Sequence, residues 1–437
     1  MSVVGEHSIF LAMKQNGPFR IDNDIDIGRL CSLQSRQWVQ QYFREPVTRT
    51  KYRAVREHVF DLLQVSSYRE ITELIRNPAG LGLRHERATA LLANLFGLSG
   101  EYSEIQAQMK DYALSADSVI AYLKARVFSG FKSHIEISNE IETTHNPLDL
   151  LLIIFDNRYH KKIRFEAKRK LVLMGLAGSI DQRERETDIE TKFSGFLQFL
   201  NNFVWSPQQK IGELTTAYLL SEHDPLDYSC TRVEVIENLS LEEQEKLEPS
   251  QKLLLVKRRM FHYLQRDIPV YVTVRKKDAA AKILKLLRKN EKNPAVAVDD
   301  ELGLMAVLDS TADVKRFVKH LKDAALKTES IMVIEDINDT LTGGEYQGNS
   351  VGSSGKTPML KFFAKLGGMR VEFIIHTNQT YLNYRYQRDI AHEEYEVKRL
   401  FDSGVAEFLF PEDIYHLDMQ KLRSKQLSAC RKEIENR

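Results

Sequence analysis

The run from Leu360 to Thr377, LKFFAKLGGMRVEFIIHT, constrains the fold of this chain more than any other stretch. Two strand-like segments meet at Gly367 and Gly368, a two-residue loop able to take the positive φ angles of a primed hairpin turn. That loop sets a register with Leu366 opposite Met369, Lys365 opposite Arg370, Ala364 opposite Val371, Phe363 opposite Glu372 and Lys361 opposite Ile374. Side chains alternate between the two faces of a strand. One face therefore carries Leu360, Phe362, Ala364, Leu366, Met369, Val371, Phe373 and Ile375, an apolar set suited to a core. The other carries Lys361, Lys365, Arg370, Glu372 and His376, with Phe363 and Ile374 among them. A carboxylate among cations reads in two ways: as cross-strand pairs on a partly solvated sheet, or as a seat for a divalent metal and a polyphosphate.

A hairpin needs a sheet to join, and the rest of the chain predicts where that sheet lies. At 437 residues the chain is long enough for two or three domains. From about residue 30 to 265 the apolar spacing is helical, as in YRAVREHVFDLLQ, ERATALLANLFGL and RFEAKRKLVLMGLAG. The punctuation agrees: Asn77-Pro78 with Gly80 and Gly82 separates two helices, Ser240 and Glu243 form a capping box, and Pro249 precedes QKLLLVKRRMFHYLQRD, read as a further helix. An all-helical domain over 1–265, a bundle or irregular array, is the expectation. No repeat with a shared signature supports a named solenoid. At Ile268 the pattern changes to alternating strands and helices: IPVYVTV, DAAAKILKLLRKN, AVAVDDELGLMAVLD, TADVKRFVKHLKDAALK and SIMVIEDI. Residues 266–437 are therefore expected to form a mixed-sheet α/β domain with a C-terminal helical tail, and the whole chain an α+β protein.

Composition removes several classes of function. The net charge is +1, so no global field steers the chain to nucleic acid or to an anionic membrane. No apolar run approaches the roughly 18 residues of a membrane span, and MSVVGEHSIFLAMKQNG lacks the basic and apolar regions of a signal peptide. Cys31, Cys230 and Cys430 lie far apart without C-x-x-C spacing, which argues against a cysteine zinc site and for a reducing, cytoplasmic setting.

The run GNSVGSSGKTP, Gly348 to Pro358, offers Gly-Lys-Thr, but Ser350 stands where a phosphate-gripping loop needs its first glycine, and no buried strand precedes it. Phosphate chemistry is better placed elsewhere. RKKDAAAKILKLLRK carries cations at 275, 276, 277, 282, 285, 288 and 289 against the single Asp278. Such a run is usually a solvated helix face, yet Arg275 and Lys277 fall at the end of the first strand, where open α/β sheets bind ligands. Asp299, Asp300 and Glu301 interrupt the next strand pattern, either as a hairpin turn or as carboxylates placed for metal-assisted phosphoryl transfer.

These residues resemble the synthetase domain of RelA/SpoT-like proteins, within the nucleotidyltransferase superfamily. Arg275, Lys277 and Lys285 stand at the spacings of its first motif, Asp300 and Gly303 match its D-x-x-G-x-R, and VEFIIHT reproduces Val371, Glu372, Ile375 and Thr377 of its last strand. The resemblance covers roughly residues 268 to 400 and none of the helical half. It implies transfer of pyrophosphate from ATP to a nucleotide, as in alarmone synthesis, or to a tRNA 3′ end. Asp300 and Glu372 would hold Mg2+ and act in catalysis. Arg275, Lys277 and Lys285, with Lys361 and His376 on the hairpin, would bind the nucleotide. The chain departs from the family at Met305 in place of the second-motif arginine, at Gly355-Lys356 where a tyrosine should follow the glycine, and at Ile374 and His376 in the last strand. Gly355 then reads as the acceptor-site glycine beside Lys356, with Tyr381, and also Tyr384 or Tyr386, to stack on a base. These departures are what supports the rival reading, a domain that has lost catalysis and binds nucleotide, RNA or protein, the helical half supplying a protein or RNA docking surface. His223-Asp224 lacks the upstream histidine a phosphohydrolase site would need, and His392 is an isolated histidine.

Overall fold

The computed structural model describes residues 46–77, 79–205, 214–239, 248, 250–298, 300–344, 357–366 and 368–436. The chain divides into two compact units, one of Met1–Glu186, Asp278–Val298 and Arg399–Gln426, the other of Thr187–Lys277, Asp299–Lys398 and Leu427–Arg437.

The first unit is helical. Its principal helices are α1 (Pro46–Leu63), α2 (Tyr68–Arg76), α3 (Leu81–Phe96), α4 (Tyr102–Arg126), α5 (Pro147–Phe155) and α6 (Lys161–Thr187). Local signals start and stop them: Ser67 caps α2 by accepting from the Glu70 N–H, Asn146 and Pro147 open α5, and Gly97 ends α3 with a left-handed φ of 59°. Their apolar stripes form one core through Leu63, Ile71, Tyr112, Ile120, Leu150 and Leu173. Two of the buried charges there are held by specific contacts. Glu166, fully buried, accepts from the Ser138 N–H at 2.9 Å and the Tyr415 hydroxyl at 3.0 Å, while Arg169 lies 4.9 Å over the Phe410 ring.

The second unit opens with α7 (Ile189–Phe199) and a π-turn, then builds one mixed eight-stranded sheet. Its strands are β1 (Thr215–His223), β2 (Cys230–Ile236), β3 (Gln251–Tyr263), β4 (Arg266–Lys276), β5 (Leu302–Leu308), β6 (Val333–Asp339), β7 (Leu360–Leu366) and β8 (Met369–Thr377), in the order β2-β1-β3-β4-β5-β8-β7-β6. Only β5 and β8 run parallel. One face carries Val270, Leu304, Ala306, Phe362, Phe373 and Ile375 against α7 and α9 (Thr311–Leu326). On the other, α10 (Asn378–Tyr386) packs on β2, β5 and β8.

The hairpin of β7 and β8 has the register and the apolar face expected from its sequence. The domain boundary is corrected. Strands begin at Thr215, well inside the region expected to be all-helical to residue 265, and QKLLLVKRRMFHY is β3 rather than a helix. This strand pairs on both sides and sends Phe261 into one core and Val256 into the other. The buried side switches along the strand, with Val256 buried beside the 51% exposed Leu255 and Phe261 buried farther on, so no single alternation runs through it. The units are also interleaved along the chain: the expected helix after β4, α8 (Ala279–Lys289), belongs to the helical unit. Among the described residues no helix is long and apolar enough to cross a membrane.

Candidate functional site

Cross-strand register builds the site. Arg275 on β4 pairs with Gly303 on β5, Gly303 with Glu372 on β8, and Glu372 with Phe363 on β7, so these positions form one row across four strands. Gly303 has no side chain to obstruct the row. A Cβ there would stand 3.1 Å from Arg275 Nε and 3.4 Å from its Cγ, so the Arg275 side chain runs directly over the glycine. Its Nη2 donates to Glu372 Oε2 at 3.0 Å. From the next strand Lys361 Nζ reaches Glu372 Oε1 at 2.8 Å. Glu372 is 4% exposed and thus a buried carboxylate held by two cations.

The second pair stands at the same ends of β4 and β5. The Lys277 backbone N–H donates to the Glu301 carbonyl at 2.9 Å, and the Lys277 ammonium pairs with the Asp300 carboxylate. Both side chains are largely covered. Lys365 and Arg370, also on the mixed face, turn instead to Glu335 and Asp336 of β6. The face therefore divides into an edge network, the group of Arg275 and Lys361 around Glu372, and the separate Lys277–Asp300 pair.

Aromatic rings adjoin the group around Glu372. Tyr384 on α10 lies 5.3 Å from the His376 ring and 5.1 Å from His392, and it stacks on Tyr381 at 6.3 Å. Burial pushes its hydroxyl up to about 12; Arg275 pulls the other way and Glu372 adds to the rise, which marks Tyr384 as an electrostatic neighbour of the ion cluster. Of the three tyrosines considered for stacking on a base, Tyr381 and Tyr386 are each 3% exposed and serve as packing, whereas Tyr384 is half-buried. His376 is fully buried, its Nε2 has no hydrogen-bond partner, and desolvation drives it down to about 4, so the ring is neutral and sits within the packing.

Other expected residues fall elsewhere. Lys285 is a buried residue of α8 in the helical unit. Asp299, Gly355 and Lys356 lie outside the described residues. His223 bonds Ser221 Oγ at 2.8 Å through Nε2 and the Tyr228 carbonyl at 2.8 Å through Nδ1, which accounts for both its nitrogens structurally. Among the described residues no group of three His, Cys, Asp or Glu side chains could hold a metal. The two carboxylates expected to hold a metal, Asp300 and Glu372, are each paired with cations of the chain; Mg2+ takes one or two carboxylates when substrate phosphates complete its shell. The sequence motifs held Asp300, Gly303 and Glu372, but neither the path of Arg275 over Gly303 nor the choice of Tyr384 had a sequence signal, since each depends on strand order and helix phase. No family model, curated protein or solved structure matches the chain.

Proposed function

We propose that the sheet unit binds the polyphosphate of ATP and transfers its pyrophosphate to a second nucleotide or to a tRNA 3′ end, as the resemblance to RelA/SpoT-like synthetases implies. One observation carries this reading: a buried carboxylate, Glu372, gripped by Arg275 and Lys361, stands on the same sheet as the Lys277–Asp300 pair. Arg275, Lys277 and Lys361 supply cationic hydrogen-bond donors, which suit a polyanion. Phosphate oxygens take over the donors of Arg275, Lys277 and Lys361 and release both carboxylates. Mg2+ held by Asp300 and Glu372 would neutralise charge on the β- and γ-phosphates. Glu372 accepts the proton of the acceptor hydroxyl, whose oxygen attacks the β-phosphorus. The bond from that phosphorus to the α–β bridging oxygen breaks, and AMP leaves with the oxygen. The protein's part is positioning and charge neutralisation.

One observation favours a second reading, a domain that binds without turnover: Met305, where the family has an arginine, packs with Val307, Tyr381 and Tyr384 in an apolar cluster. The test is a thin-layer assay with Mg2+ and γ-labelled ATP, offering GDP, GTP, other nucleotides and bulk tRNA as acceptors. Label moving to one acceptor, and lost in Glu372→Gln with folding intact, is the expected result. No transfer to any acceptor, with ATP binding retained by calorimetry, selects the binding domain; no transfer and no ATP binding removes both readings.

A further inference from the structure

A cavity of about 410 Å³ lies in the helical unit, among α3, α6, the C-terminal end of α8 and residues 403–408. Its volume falls within the roughly 300–1,000 Å³ of small-molecule sites. Part of the wall is core: Phe96, Leu176, Leu286 and Val405 are each less than a tenth exposed, whereas Leu95, 65% exposed, stands with the exposed Asn290 and Lys292 at its open side. The polar groups around it are engaged by the protein. Ser179 Oγ donates to the Gly175 carbonyl at 3.0 Å, Gln182 Nε2 to Glu186 at 3.0 Å, and Glu291 Oε1 accepts the N–H groups of Lys292 at 2.7 Å and Asn293 at 3.0 Å. What the cavity presents to an occupant is mainly apolar surface, with Asn290 and Lys292 also in the lining.

A second observation concerns how the space is kept open. Gly175 lines the cavity from the middle of α6, where glycine weakens a helix relative to alanine. A Cβ added there meets nothing within 4 Å. The chain thus keeps a helix-weakening residue where a side chain would fit without contact and fill the space.

We propose that this cavity is a binding site for a neutral, largely apolar small molecule of one or two rings. The proposal is independent of the activity assigned to the sheet unit. It is tested by calorimetric titration of the full chain with 1-naphthol, a neutral two-ring probe. Expected is saturable binding at one site with a negative heat-capacity change, the mark of apolar burial. Gly175→Leu, which grows into the cavity and improves helix propensity, should weaken binding about tenfold or more without lowering the melting temperature. Leu95→Gln, an exposed change, should weaken it about threefold. Absence of saturable binding, or undiminished affinity in Gly175→Leu, overturns the proposal. If Gly175→Leu melts early, Leu95→Gln decides, and unchanged affinity there overturns it as well.

Discussion

At the scale of residues, the site turns on an absent side chain. Arg275 reaches Glu372 only because Gly303 lies between them without a Cβ. Gly303→Val should favour the strand, since β-branched residues suit a sheet, while its methyl groups push the guanidinium off Glu372. The expected outcome is a melting temperature near that of the wild type with ATP affinity reduced about tenfold, the scale of a hydrogen bond to a charged group at roughly 1.5–3 kcal/mol, discounted for the half-exposed Arg275 side chain. Calorimetry checks it: full affinity in Gly303→Val would mean that Arg275 does not grip phosphate from this position. Lys361, which approaches Glu372 from the other side, does not depend on the glycine, and Lys361→Met should weaken binding additively with Gly303→Val only if the two cations act on separate oxygens.

At the scale of elements, what was legible depended on exposure. The β7–β8 hairpin could be read to the residue because one of its faces is apolar and the other mixed, and because the sequence puts two glycines between its strands, of which Gly368 takes a φ of 76°. Strand β3 could not, because its buried side switches along its length, Val256 entering one core and Phe261 the other, so its apolar residues follow no period of two. The same limit hid the site's geometry. Residues 275, 303 and 372 were visible as motif positions, but their alignment follows from β8 inserting parallel to β5, a long-range choice that local pattern does not encode. Helix α10 shows the converse, a local signal with a site consequence. Thr377 Oγ1 accepts from the Thr380 N–H at 3.3 Å and Thr380 Oγ1 accepts from the Thr377 N–H at 3.0 Å, closing a reciprocal cap on the helix that carries Tyr384. Thr377→Ala should cost about 1 kcal/mol in urea unfolding. Amide exchange should rise first in the leading turn of α10, and protection unchanged across 378–381 would show that packing alone holds the helix.

At the scale of the whole molecule, the sequence order of the units misleads. The chain passes between the helical and sheet units five times, at 186/187, 277/278, 298/299, 398/399 and 426/427. A boundary near residue 265 would have made the helical region an independent domain. Instead its core includes Ile283, Leu286, Leu400, Val405 and Phe410, all of them supplied from beyond residue 277. Burying each such side chain is worth about 1.5–3 kcal/mol, so together they match the roughly 5–15 kcal/mol by which a domain is stable at all. A fragment of residues 1–186 is therefore expected not to fold cooperatively. Its circular dichroism should show a broad, weak thermal transition, and its amide resonances should be narrowly dispersed, whereas the full chain should give one sharp transition followed identically by near- and far-ultraviolet signals. A sharply melting, well-dispersed fragment would show instead that 278–298 and 399–426 dock onto a domain already complete without them. The segment 278–298 departs immediately after Lys277 and returns just before Asp300, the two residues that pair in the site. If the fragment fails to fold as expected, one continuous stretch of chain both supplies the helical core and joins the two residues of the Lys277–Asp300 pair.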